Sequence, residues 1–124
     1  VQAPQTAMPA SPAPTTVTIA VKNADYELVK NDLDQVIKLA PDFAYAYYNR
    51  ANLFAMLGDY HAAIVDYNKV LELDANFADA YYNRGLTYIY LGNNKQGIAD
   101  LSKAGELGIF SAYNVIKRFS TQRN

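Results

Sequence analysis

The residues of this chain able to do chemistry are few, and the charged ones recur at a fixed spacing. Arg50 and Arg84 stand 34 residues apart, as do Asp32, Asp66 and Asp100. A guanidinium can hold a carboxylate through paired hydrogen bonds, or it can bind an anion from solution. The single histidine, His61, has no nucleophile or second ligand at a useful spacing and reads as a solvated residue in the first turn of a helix. Cysteine is absent, which excludes disulfides and thiolate metal sites. No Gly-rich phosphate loop and no metal-spaced cluster is present. The expectation is a non-catalytic protein without cofactor or metal.

Those charged residues belong to a longer self-similarity. Phe43 to Arg50 reads FAYAYYNR and Phe77 to Arg84 reads FADAYYNR, and the windows starting at Phe43 and Phe77 share 14 of 34 residues. A fixed period of this length marks stacked supersecondary units that bury their apolar faces against one another. At 124 residues the chain is one small domain. Its net charge of −1 gives no electrostatic footprint for nucleic acid. No apolar run approaches the ~18 residues of a membrane span. Val1 is not followed by a cationic segment and apolar core, so no signal peptide is expected there, and a processed or partial chain is expected.

Four of the five prolines lie in residues 1–16, which predicts an extended or disordered tether. Val17 to Val21 alternates as a short strand or irregular segment would. From Ala24 the period becomes helical, with Val29, Leu33, Val36 and Ile37 on one face, Asp25 as N-cap and Pro41 as the stop. Adding the period maps this helix onto second helices capped by Asp59 and by Asn93. First helices are expected over Ala44–Leu57 and Ala78–Leu91, each ended by a glycine, Gly58 or Gly92. A last helix, Ser111 to Ser120, closes the stack with Ala112, Tyr113, Val115, Ile116 and Phe119. The units are a half repeat at 24–42, repeats at 43–76 and 77–110, a capping helix at 111–120 and a tail at 121–124. Gly97, Gly105 and Gly108 each weaken the last second helix by ~1 kcal/mol where interior, making it the softest part unless the final helix packs on it.

Hairpin geometry gives the charged column a role. Arg50 and Asp66 each lie eight residues from Gly58, at equal height on antiparallel helices, and Arg84 lies nine beyond the following turn. The expected ladder runs Asp32, Arg50, Asp66, Arg84, Asp100, Arg118. It serves either as an ion-pair network that sets repeat registry or, if an arginine is left over, as an anion site.

These residues resemble the tetratricopeptide repeat family. Its helix-turn-helix pattern of aromatic and small residues is matched by Tyr47, Ala51, Phe54, Gly58, Ala63, Tyr67 and Val70, then by Tyr81, Gly85, Tyr88, Gly92, Gly97, Leu101 and Ala104. Val29, Leu33, Val36 and Pro41 fit the half repeat. Arg50 and Arg84 replace the usual Leu, and Ala75 and Ile109 the usual Pro. The resemblance implies an all-α superhelix whose first helices line a concave groove. Tyr45, Tyr48, Asn49, Asn52, Ala55 and Met56 would face it from the first full repeat, and Asp79, Tyr82, Asn83, Leu86, Ile89 and Tyr90 from the second. Helical spacing agrees, since residues 45, 48, 52 and 56 lie opposite 47, 51 and 54.

Aromatic and Met enrichment with neighbouring asparagines suits a peptide or helix groove. Self-association through the same face, or intramolecular cover, stays open. Family members that clamp a C-terminal carboxylate suggest Asn52, Asn83 and Lys117 as matches. Tyr48 and Tyr113 stand where that clamp has lysines, which removes most of its charge. The expected function is a protein- or peptide-binding scaffold; the alternative is a self-association or assembly domain, with a homodimer possible. The proline-rich tether suits an exported protein without fixing the compartment.

Overall fold

The computed structural model describes residues 23–121. They form six helices and no strand: α1 (Asn23–Leu39), α2 (Ala44–Met56), α3 (Tyr60–Leu73), α4 (Ala78–Tyr90), α5 (Asn94–Glu106) and α6 (Ser111–Thr121). The tether at 1–16, the Val17–Val21 segment and the tail beyond Thr121 lie outside the described residues. None of the six helices is long and apolar enough to cross a membrane.

Local sequence explains the helix ends. Gly58 and Gly92 adopt φ of 83° and 87°, the left-handed conformation that a side chain disfavours. The amide of Gly58 donates to Ala55 O at 3.0 Å and that of Asp59 to Phe54 O at 2.9 Å, a Schellman closure. One period on, Gly92 and Asn93 repeat it, to Ile89 O at 2.9 Å and Tyr88 O at 2.8 Å. Asp59 and Asn93 then open the following helices, their side chains accepting from the Ala62 and Gln96 amides. One residue thus ends a helix and starts the next. Asp25 does otherwise: the helix is already formed at Asn23, so Asp25 sits in its first turn, where a carboxylate suits the helix dipole, instead of capping it.

The helices stack in chain order, α2 on α3 and α4 on α5 as hairpins. Two cores result. Tyr47, Ala51, Ala63, Tyr67, Val70 and Phe77 fill the first. Leu86, Leu101, Ala104, Ala112 and Val115 fill the second, so α6 packs directly on the glycine-bearing α5. The helix expected to be softest is therefore covered. Its glycines have a steric reason as well. A Cβ on Gly97 would lie 2.6 Å from Ile89 Cγ1 and 2.8 Å from the Gly85 carbonyl oxygen, so the small residues let α4 and α5 approach closely.

Candidate functional site

The two arginines are tied down. Arg50 donates from Nε to Asp66 Oδ2 at 2.7 Å and from Nη2 to Asp66 Oδ1 at 2.9 Å, a bidentate pair across the α2–α3 hairpin. Arg84 grips Asp100 in the same way, at 2.7 and 2.8 Å, across α4–α5. Each guanidinium also stands near a tyrosine of its own helix, Arg50 at 5.9 Å from the Tyr47 ring and Arg84 at 5.7 Å from Tyr81.

The backward rungs differ from the expected ladder. Arg50 Nη1 donates to Asp34 Oδ1 at 2.8 Å, and Arg84 Nη1 to Asn68 Oδ1 at 2.7 Å. These acceptors lie two places beyond Asp32 and Asp66, and they are themselves one period apart. A second helix is sandwiched between two first helices, and two residues turn a helix by about 200°. The aspartate that faces its own hairpin partner therefore points away from the next repeat. Asp34 and Asn68 occupy the opposite side and serve that neighbour. Asp32 is exposed on α1, and Arg118 is exposed on α6. The hydrogen bond from Arg50 holds the Asp34 carboxyl below its usual range, and the bond to Asp66 raises the Arg50 guanidinium further.

Around the expected groove residues, the structure assembles an aromatic cluster graded from core to surface. Tyr67 and Phe77 are buried, Tyr48 is half-buried, and Phe43 and Tyr45 are exposed. Phe77 centres the cluster, with its ring centroid 5.0 Å from both Tyr45 and Tyr48. Tyr45 meets Tyr48 edge-on at 6.5 Å and Phe43 at 6.2 Å. Beneath lies a polar knot. Asn52 Oδ1 accepts from the Tyr67 hydroxyl and, at 3.0 Å, from Asn83 Nδ2, which also donates to the Tyr48 hydroxyl at 3.0 Å. Burial pushes the Tyr67 phenol far above its usual range and raises that of Tyr48, whose shift Asp79 adds to through its charge.

The other groove candidates are distributed differently. Leu86 is buried in the second core, because α6 covers it. Ala55 is buried in the first. Tyr90 leaves the group to stack on Tyr60 of α3, centroids 5.4 Å apart and planes at 23°. Ile89 packs against Gly97 and the second core. Asn52 and Asn83 bridge α2 to α4 from within the polar knot. What stays outward is Tyr45, Asn49, Asp79 and, beside Tyr60, Tyr90, with Tyr82 and Met56 half-buried and Lys117 exposed on α6. Phe43 and Phe77 were missed as platform residues, although they open the repeated FAYAYYNR and FADAYYNR blocks. His61 is exposed at the start of α3, and no group of three His, Cys, Asp or Glu suited to a metal ion occurs among the described residues.

Comparison with known proteins agrees with the architecture. Models described as "TPR repeat" and "Tetratricopeptide repeat" match residues 51–92, 33–65 and 78–107. No curated protein sequence matches the chain significantly. Among solved structures, a crystal structure of MamA superposes with TM-score 0.68 at 28% identity, covering 70% of this chain and 52% of that one. YrrB, described as a TPR protein with an unusual peptide-binding site, gives TM-score 0.69 at 27% identity, covering 81% and 53%. The chain thus spans about half the length of the solved structures it matches. The 34-residue period, the two Schellman-closed hairpins and three matching family models converge: this chain is a tetratricopeptide repeat protein.

Proposed function

We propose that this protein is a non-catalytic scaffold that binds a peptide segment of a partner across the first-helix face of α2 and α4. The observation that carries the reading is the Phe43–Tyr45–Tyr48–Phe77 platform, held by core packing below and open above. Exposed aromatic rings whose orientation is already fixed cost little entropy to bind against, which is why such residues dominate interfaces. Asp79 is exposed on α4 one helical turn before Asn83, the residue that donates to the Tyr48 hydroxyl, and so shares its helix face. The pairing suits a peptide carrying an apolar or aromatic side chain next to a basic one. A likeness to YrrB, itself described as having a peptide-binding site, supports the same class of ligand.

Tyr45 is the residue to test, being 57% exposed and outside both cores. A displayed random-peptide library would be selected on the wild-type protein, and the recovered peptides measured by calorimetry. Tyr45→Ala and Asp79→Lys are expected to weaken them by about ten-fold or more, as removal of a central anchor does, with unchanged circular dichroism and Tm. Peptides that bind both variants as tightly as the wild type would refute the assignment of this face.

A further inference from the structure

The two ends of the stack are complementary. In α3, Ala63 and Val70 are fully buried at 0% exposure, as is Ala104 one period after Val70 in α5. One period before Ala63 and Val70, on α1, stand Val29 and Val36, which are 46% and 37% exposed. Leu28 and Leu39 flank them at 62% and 81%. At about 100° per residue, residues 28, 29, 36 and 39 fall within one sector of α1, together with Asp25 and Asp32. Ile37 and Asp34, which face α2, lie on the far side. So α1 presents the core face of a second helix, and no first helix covers it among the described residues.

At the other end, α6 holds the place of a first helix. Ala112 and Val115 pack onto Leu101 and Ala104 of α5. Asn114 and Arg118 are exposed. Their equivalents in the full repeats, where a second helix follows, are enclosed: Ala46 and Ala80 are buried, and Arg50 and Arg84 half-buried.

We propose that copies of this chain join head to tail, with α1 of one copy seating on α6 of the next as the second helix of a shared repeat. Register supports this occupant. Asp32 precedes Asp66 by one period and Arg118 follows Arg84 by one, so the joint sets Asp32 against Arg118 as Asp66 is set against Arg50. Arg50 already serves carboxylates on both sides at once, Asp34 and Asp66, so a guanidinium at this place accepts the following helix in addition to its other contacts. Charge agrees too, with Asp25 and Asp32 in the open sector of α1 and Arg118 at the joint-facing position of α6. The contact is heterologous, which extends into a fibre or closes into a ring and does not form a two-fold dimer.

A single helix-on-helix contact falls below ~1,200 Å², so the association is weak and belongs at about 10 μM to 1 mM protein. Sedimentation velocity of the full chain across that range is expected to show mass rising with concentration past the dimer. Asp32→Arg or Arg118→Glu alone should raise the apparent Kd by about ten-fold, because like copies then repel at every joint. An equimolar mixture of the two variants should restore wild-type association, since unlike copies pair correctly at both joints. Val36→Glu should abolish it, and Tyr45→Ala should leave it unchanged. A monomer at all concentrations overturns the proposal, and is the outcome if residues 1–22 or another part of the same chain cover α1. Association indifferent to Val36→Glu, or not rescued by mixing folded variants, overturns it equally.

Discussion

Asp66 and Asp34 both hold Arg50, yet their contributions to stability should differ several-fold. The Asp66 side chain is 5% exposed and takes two of the guanidinium bonds, while Asp34 is 34% exposed and takes one. Asp66→Ala leaves a half-buried arginine without its main partner and should cost about 3 kcal/mol. Asp34→Asn keeps an acceptor, as Asn68 does for Arg84, and should cost under ~1 kcal/mol at neutral pH. The acid limb distinguishes them further. Because the Asp34 pKa is lowered on folding, chiefly by the hydrogen bond from Arg50, the unfolded state takes up that proton more readily than the native state. Its contribution is complete above the unfolded value of about 4 and disappears as pH falls through the lower native value. Urea midpoints between pH 7 and pH 3 should therefore fall less steeply for Asp34→Asn than for wild type. Equal losses for the two substitutions at pH 7 would mean that Arg50 does not distinguish its partners.

At the scale of the element, two glycines of one helix should respond oppositely to the same substitution. Alanine gains up to ~1 kcal/mol over glycine inside a helix. At Gly97 the added Cβ meets Ile89 and a backbone oxygen of α4, so overpacking of about 1–3 kcal/mol outweighs that gain and Tm should drop. At Gly105 the Cβ would lie 2.5 Å from Tyr113 Cζ, but that atom is the far end of a side chain that is 47% exposed. Gly105→Ala should be neutral or stabilising, and thermal melts of the two variants separate the cases. Such contrasts mark the reach of the sequence. The period, the Gly58 and Gly92 stops and the Asp59 and Asn93 caps were legible because each depends on chain neighbours alone. The Arg50–Asp66 pairing followed from equal heights about one turn. Asp34 was missed because a helix between two neighbours shows each a different side, and only the stacked structure identifies the second. Leu86 was misplaced for a related reason: its helix face is right, but α6 covers it, whereas Tyr90 stacks on Tyr60 and still stays exposed.

Across the whole molecule the packing is one-dimensional. Each helix rests mainly on the helices before and after it, and α4 joins the two cores by giving Ala80 to the first and Leu86 to the second. Cooperativity must then pass through α4, and opening should begin where a helix has one neighbour and little buried surface. Helix α1 gives the first core only the half-buried Ile37, whereas α6 places Ala112 and Val115 inside the second. Hydrogen exchange in dilute solution should therefore release α1 first and α6 next, with α2 to α5 protected longest. Leu101 is fully buried in the second core, and Leu101→Ala should cost about 2–5 kcal/mol. If coupling through α4 is incomplete, that loss should lower protection in α5 and α6 more than in α2 and α3. A uniform fall across all six helices would instead establish a single cooperative unit, with α4 transmitting the full destabilisation from one core to the other.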